Sequence, residues 1–367
     1  MPGVFYDAVA GSGKTTYLAK LAAVHSGGHV LFTTFTDENT DEARRVFLRE
    51  EGRIPDYVDI VPWYTFLLRE GVRPFQSAVG LGDEEISGIK LASGTSALKT
   101  RKDELRHYAF HQSDGCLCVY SDKVAELALF INQEAEGGVI DRLSRLYSMV
   151  CVDEVQDMSG YDLEFIAAMI GKVDDVRLAG DLRQATYRTS NVSKNKRYRE
   201  EGFGRFLLDR RLDCAIDTET LRTCHRCPQG IVDLADALFP GFPATVSSAA
   251  VQLDEPHAGI FLVRESDAAT YSGRYGAVCL VYDKRTKVPS GIRTQNMGAV
   301  KGRTFDRVLL FPTSKMLDWL FDHDANLEQA TRAKLYVAIT RARLSVAVVI
   351  PDHLMCDLPC GFSVWSC

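Results

Sequence analysis

Ala8-Val9-Ala10-Gly11-Ser12-Gly13-Lys14-Thr15 is the stretch that decides the fold. It follows a short apolar run over 4–8 and leads into a helical pattern over 14–25 that stops at Gly27-Gly28. A glycine-rich turn between strand and helix lets successive backbone N–H groups converge on phosphate oxygens, and the helix N-terminus adds partial positive charge. Ala8 stands where the usual phosphate-loop pattern has glycine. Ala10, Gly11, Ser12, Gly13, Lys14, Thr15 and Thr16 are therefore the candidate nucleotide-binding residues. Lys14 would bring charge to the terminal phosphates, and Thr15 a hydroxyl for Mg²⁺.

A second stretch, Cys151-Val152-Asp153-Glu154-Val155-Gln156-Asp157, carries an apolar strand into acidic residues. Asp153 can hold the metal directly or through water, and Glu154 is placed to orient or deprotonate an attacking water. With both stretches in one chain, hydrolysis of a nucleoside triphosphate with Mg²⁺ is expected rather than nucleotide storage.

Outward from these motifs, strand and helix alternate. Strands are predicted over 30–34, 58–61, 149–152 and 176–178, with a helix around 42–49, in the βαβ rhythm of a parallel sheet. From about 71 to 138 the pattern weakens into polar, Gly- and Ser-containing sequence with a helical stretch near 123–132, read as an insertion on the first sheet. A second alternating block has predicted strands over 260–263, 277–282, 307–311 and 345–350, and no phosphate loop of its own. The expected fold is α/β, with two RecA-like parallel-sheet domains: residues 1–211, including the insertion at about 71–138, and residues 212–367.

The 367-residue chain is 46% hydrophobic and 25% charged, which is ordinary globular usage with room for two cores. No uninterrupted apolar segment reaches membrane-spanning length, and the N-terminus carries no secretory pattern, so a cytoplasmic protein with no membrane partner is expected. The ten cysteines read as reduced core thiols. Cys224-His225-Arg226-Cys227 lacks a second pair at finger spacing, and Cys356, Cys360 and Cys367 form a sparse terminal group. The formal net charge of −6 argues against avid nonspecific nucleic-acid binding while leaving room for a local basic groove. Two runs could line one: Arg188, Lys194, Lys196, Arg197 and Arg199, or Lys99, Arg101, Lys102 and Arg106. Each could equally be a solvated face.

The order of motifs resembles the superfamily 1 helicases of the UvrD/Rep/PcrA type. Thr34-Phe35-Thr36 followed by Glu42 is similar to that family's strand-contacting segment, and Asp153 to Asp157 to its Asp-Glu-x-Gln-Asp signature. Gly180 to Gln184 with Tyr187 resembles the segment whose glutamine senses the γ-phosphate. Leu221 to Cys227 resembles the Asn-Tyr-Arg-Ser segment, Val300-Lys301-Gly302 the Lys-Gly segment, and Tyr336 to Ala342 the segment of the second arginine. The resemblance implies Glu154, Gln184, Arg226 and Arg341 as catalytic residues, with ATP hydrolysed at the interface of the two domains. It adds His225 and Gly302 to the nucleotide contacts, with His225 stacking on the base, and leaves Thr15 and Asp153 for the metal. For nucleic acid, Thr36, Tyr64 and Tyr187 fall near strand-facing motif positions, and Lys194, Lys196 and Arg197 follow as phosphate contacts.

The departures are specific. No glutamine-containing segment stands before the first strand, so adenine recognition by that residue is expected to be missing. Arg188-Thr189-Ser190 replaces Gly-Trp-Arg, removing a base-stacking ring. Asn296-Met297-Gly298 replaces Thr-Leu-His, and Thr304 stands where a glutamate would hold the ribose. The interval from Arg226 to Lys301 is too short for the family's large accessory domain. The implied function is an ATP-dependent helicase or translocase moving 3′–5′ on single-stranded DNA, with RNA possible, and needing a protein partner such as a nuclease. A nucleotide-gated ATPase subunit of a repair or antiphage complex, a viral RNA helicase, and a small-molecule kinase stay open as alternatives.

Overall fold

The computed structural model describes residues 3–80, 84–92, 94–97, 100–102, 104–186, 189, 192–199, 202–249, 255, 257–354 and 362–366. The chain divides into two compact units, residues 1–8 with 14–220, and residues 9–13 with 221–367.

The first unit is built on a six-stranded sheet in the order Val58–Pro62, Val30–Thr34, Met149–Val152, Asp175–Gly180, Gly3–Asp7, Ala215–Asp217. Every pairing in it is parallel. A parallel sheet covered on both faces selects near-continuous apolar strands rather than alternating ones. Val30–Thr34 and Met149–Val152 are accordingly buried at every position. The helix Asp37–Glu51 turns Thr40, Ala43, Val46 and Phe47 inward, the spacing of one helical face. It starts where the Thr36 hydroxyl accepts from the Asn39 N–H and stops at Gly52 in the left-handed region, φ 72°.

Between the strands Val58–Pro62 and Met149–Val152 lies the predicted insertion. Among the described residues it contains a small three-stranded sheet. In that sheet Gly88–Lys90 pairs parallel, and Ala109–His111 antiparallel, with Leu117–Tyr120. The helix Val124–Glu134 covers the stretch predicted as helical near 123–132.

The second unit carries another all-parallel six-stranded sheet, ordered Thr294–Asn296, Val278–Val281, Phe305–Phe311, Ala342–Ile350, Gly259–Arg264, Ser363–Trp365. Val308, Leu310, Val346 and Val348 pack into one apolar cluster, and Leu309, Phe311, Ala347 and Val349 into another. Alternate side chains of each strand thus enter cores on opposite faces of the sheet. Both units are α/β with parallel sheets, as the expected pair of RecA-like domains requires. Among the described residues, no helix is long and apolar enough to cross a membrane.

Candidate nucleotide and nucleic-acid site

In a parallel sheet all the carboxyl ends of the strands lie on one side, the side where ligands bind in open α/β folds. The register of the first sheet places an acidic residue there on each of three neighbouring strands. Asp7 ends Gly3–Asp7 opposite Gly180, Asp181 follows Asp175–Gly180, and Asp153 follows Met149–Val152.

The candidate hydrolytic residues of the first unit come together. Thr15 Oγ1 donates to Asp153 Oδ2 at 2.6 Å. Lys14 Nζ lies 2.6 Å from Glu154 Oε1, with both side chains largely buried. The Glu154 N–H donates to Asp153 Oδ1 at 2.9 Å, and Gln156 Nε2 donates to Glu154 Oε2. Glu154 sits in the left-handed region at φ 58°, an uncommon place for a residue with a Cβ and one that surrounding bonds must hold. Burial, reinforced by the neighbouring Glu154 charge and opposed by Lys14, raises the Asp153 carboxyl to about 6.

Gln184 is buried and its Nε2 donates to Asp181 Oδ2 at 2.7 Å. The same aspartate accepts from Arg183 Nε at 3.1 Å. Asp7 is raised to about 7, first by burial and then by the Asp181 charge. Gly180 is held to glycine by proximity, since a Cβ there would meet Gln156 Oε1 at 2.6 Å.

In the second unit the loop residues 9–13 sit beside the strand Thr223–Cys224. The His225 N–H donates to the Gly11 carbonyl at 2.9 Å. Gly11 has φ +74°, and a Cβ would meet Arg226 Cβ at 2.8 Å, so both backbone and packing require glycine. Arg226 and Arg341 flank one residue, Thr340. Arg226 Nη1 donates to its carbonyl at 3.1 Å, and Arg341 Nη2 to its hydroxyl at 3.3 Å. Arg341 is 2% exposed, with its Nε donating to the Val337 carbonyl. His225 and Gly302 are exposed, and Thr16 is half-buried.

The candidate strand-gripping residues are less uniform. The Thr36 hydroxyl is engaged as the cap of its helix. Tyr64 packs edge-on to Phe35, its hydroxyl donating to the Thr189 carbonyl at 2.7 Å. Tyr187, with Arg188 and Ser190, lies outside the described residues, as do Lys99, Cys356, Cys360 and Cys367. Lys194 lies 3.6 Å from Glu164, and Arg197 lies 3.7 Å from Asp209 and over the Tyr198 ring. Lys196 is exposed. In the other basic run, Lys102 pairs with Glu126 at 2.6 Å and Arg106 with Glu104.

Several participants had no role read from sequence. Gln156 stands inside the acidic signature, but its bond to Glu154 depends on the fold. Thr189, at the position where the resembling family has tryptophan, is 4% exposed. Its N–H donates to the Asp157 carbonyl at 3.0 Å, and its Oγ1 accepts from the Ser159 N–H at 2.9 Å. It therefore ties the end of the acidic loop to Tyr64 instead of offering a surface for a base.

Asp162 supports this tie, accepting from Trp63 Nε1 at 2.6 Å. Burial raises its carboxyl from 3.8 to about 6, against opposing hydrogen bonds from Thr189 and Trp63. The ionised form is the costly one in the fold. The neutral carboxyl's contribution to stability is fully present below pH 3.8 and lost as the pH rises through about 6. Asp162→Asn is expected to match wild type in unfolding free energy near pH 4 and to exceed it by on the order of 3 kcal/mol near pH 7.5. Denaturant titrations at both pH values check this, and a pH-independent difference would refute it.

No protein-family model matches the chain, and no curated protein matches it. Among solved structures, it is similar to an arterivirus nonstructural protein 10 (helicase), at 17% identity and TM-score 0.45 over 95% of this chain and 59% of that one. The same helicase in complex with DNA matches at 16% identity and TM-score 0.46, over 95% and 60%. A PRRSV helicase matches at 14% identity and TM-score 0.42, over 97% and 53%. The chain thus spans between about half and three fifths of the length of these structures.

Proposed function

We propose that this chain is a superfamily 1 helicase-type ATPase of the UvrD/Rep/PcrA kind that moves 3′–5′ on single-stranded DNA. The observation that carries the reading is the meeting of two motifs remote in sequence, Thr15 with Asp153 and Lys14 with Glu154, each pair at 2.6 Å. Neither pair has an evident purpose in stabilising a sheet end, and together they supply the parts that phosphoryl transfer to water needs. A hydroxyl and a carboxylate are hard oxygen donors suited to Mg²⁺, which would neutralise phosphate charge when bound. Lys14 exchanges Glu154 for the terminal phosphates, and the released carboxylate, steadied by Gln156, orients or deprotonates the attacking water. Gln184 senses the γ-phosphate, while Arg226 and Arg341 supply cationic charge to the transferring group.

The decisive experiment is the ATPase rate of the purified chain with no polymer, with single-stranded DNA and with single-stranded RNA. Stimulation by DNA supports the proposal, and stimulation by RNA alone moves the assignment to an RNA helicase. An unstimulated but Mg²⁺-dependent rate favours the second reading, a nucleotide-gated subunit of a larger complex. The inward-turned Thr189 and the carboxylates beside Lys194 and Arg197 favour that alternative. Phosphate transfer to a small acceptor would refute both.

Strand binding is expected to be weak and salt-sensitive, and duplex unwinding by the chain alone to be poor. Neutralising Lys194, Lys196 and Arg197 together should make the plot of log affinity against log salt shallower by about 2 at most. A slope unchanged by the triple substitution would remove these residues from the groove.

A further inference from the structure

We infer that Cys224 and Cys227 form a reversible disulfide that interrupts the arrangement around Arg226. The two thiols bracket His225 and Arg226, so the inference rests, for its effect on hydrolysis, on the proposed role of Arg226. Among the described residues, no group of three or more His, Cys, Asp or Glu that could hold a metal includes this motif. The Cys227 N–H donates to Cys224 Sγ at 3.4 Å, the Cys227 thiol donates to the Thr340 carbonyl at 3.4 Å, and both side chains are buried. The pair lies immediately before Pro228 and the helix Gln229–Asp236.

This environment divides the labour between the thiols. The Cys227 hydrogen bond, backbone N–H groups and the Arg226 charge bring Cys224 down to about 6, against the opposing effect of burial. The same bond holds the Cys227 thiol well above its ordinary range. Cys224 is thus the nucleophile and Cys227 the resolving thiol. Hydrogen peroxide is the chemical class of oxidant that supplies the two-electron step. The Cys224 thiolate attacks one peroxide oxygen, the O–O bond breaks, and hydroxide leaves to become water, giving a sulfenic acid. Cys227 sulfur then attacks the sulfenyl sulfur, the S–O bond breaks, and its thiol proton leaves with the hydroxyl as a second water. Two thiols and one peroxide give one disulfide and two waters, and an external dithiol returns both thiols by exchange.

Closing the bridge brings the two sulfurs to about 2 Å and withdraws the Cys227 thiol from the Thr340 carbonyl, and the residues between them carry the displacement. Little slack is available for it. A Cβ on Gly11 would lie 3.1 Å from Cys224 Sγ and 2.8 Å from Arg226 Cβ, so both residues already pack onto the phosphate-loop glycine. Cys227 Sγ also lies 3.4 Å from the Thr340 carbonyl that accepts from Arg226.

The test uses the full chain treated with hydrogen peroxide, alkylated and digested with trypsin without reduction. Cleavage after Arg222 and Arg226 leaves Cys224 and Cys227 in separate peptides that only the bridge can join. The joined pair is expected after peroxide and absent after dithiothreitol. ATP hydrolysis should fall at least tenfold with peroxide and return with dithiothreitol. Cys227→Ser should not show the joined peptides and should lose less hydrolysis on peroxide treatment than wild type, and Cys227→Ala replaces it should serine unfold the chain. Absence of the joined pair in wild type, or its presence with undiminished hydrolysis, overturns the inference. If untreated protein hydrolyses no ATP, the functional proposal fails by itself; the peptides still report the bridge, and nucleotide affinity before and after peroxide then reads its effect on the loop.

Discussion

Glu154→Gln is expected to lower ATP turnover by about 10³-fold while leaving nucleotide affinity within a small factor of wild type, because a positioned base contributes roughly 10²–10⁴ and little to ground-state binding. The amide keeps the shape of the side chain and can still meet Gln156, but it cannot take a proton. Lys14→Ala should also abolish turnover, for a different reason. It deletes the charge that meets the phosphates and leaves the largely buried Glu154 carboxylate without the ammonium 2.6 Å away. Affinity should fall in that variant and survive in the other. Single-turnover hydrolysis and binding of a fluorescent nucleotide separate the two, and normal turnover by Glu154→Gln would remove the assigned base.

Arg226→Ala and Arg341→Ala are each expected to slow hydrolysis by roughly 10³, the scale on which a cation at the transferring phosphate acts. Nucleotide binding should change less, because in the proposed role the arginines act on charge that develops in the transition state. The two substitutions should differ in stability. Arg226 is half-exposed, whereas Arg341 is buried with its guanidinium on backbone carbonyls. Only Arg341→Ala should also lower the unfolding temperature. Thermal melts beside steady-state rates decide the matter, and full activity in both variants would exclude the arginines from the reaction.

The α/β architecture was legible because the burial of a parallel sheet writes itself into composition. Val30–Thr34, Met149–Val152 and the middle of Phe305–Phe311 are uninterrupted apolar or β-branched runs, and each became a strand buried on both faces. Ala215–Asp217 was not legible, since three residues carry no period, and only pairing with Gly3–Asp7 makes them a strand. The insertion gave a weak pattern for the same reason, its strands having three or four residues each.

Local motifs marked the glycine-rich loop and the acidic residues as candidates; what they touch was another matter. The bond from Gln156 to Glu154 needs the missing Cβ of Gly180, and the inward turn of Thr189 needs Asp157 and Ser159 to receive it. The basic run shows the limit most clearly. Lys194 and Arg197 are near neighbours in sequence, but Glu164 and Asp209, which temper their charge, stand outside the run. A charge count along the chain cannot see partners brought in by folding.

The position of Gly3–Asp7 inside the first sheet has a consequence for how the chain is made. Its two neighbours are Asp175–Gly180 and Ala215–Asp217, so this strand has no partner in the sheet until residues near 180 have been synthesised. At ordinary elongation rates that delay is on the order of 10 s. Val30–Thr34 and Val58–Pro62 can pair with each other early, yet the strand that holds the phosphate loop must wait beside them with its apolar side chains uncovered. Among these strands, the one that leads into the glycine-rich loop is therefore the one most exposed to misassociation during synthesis.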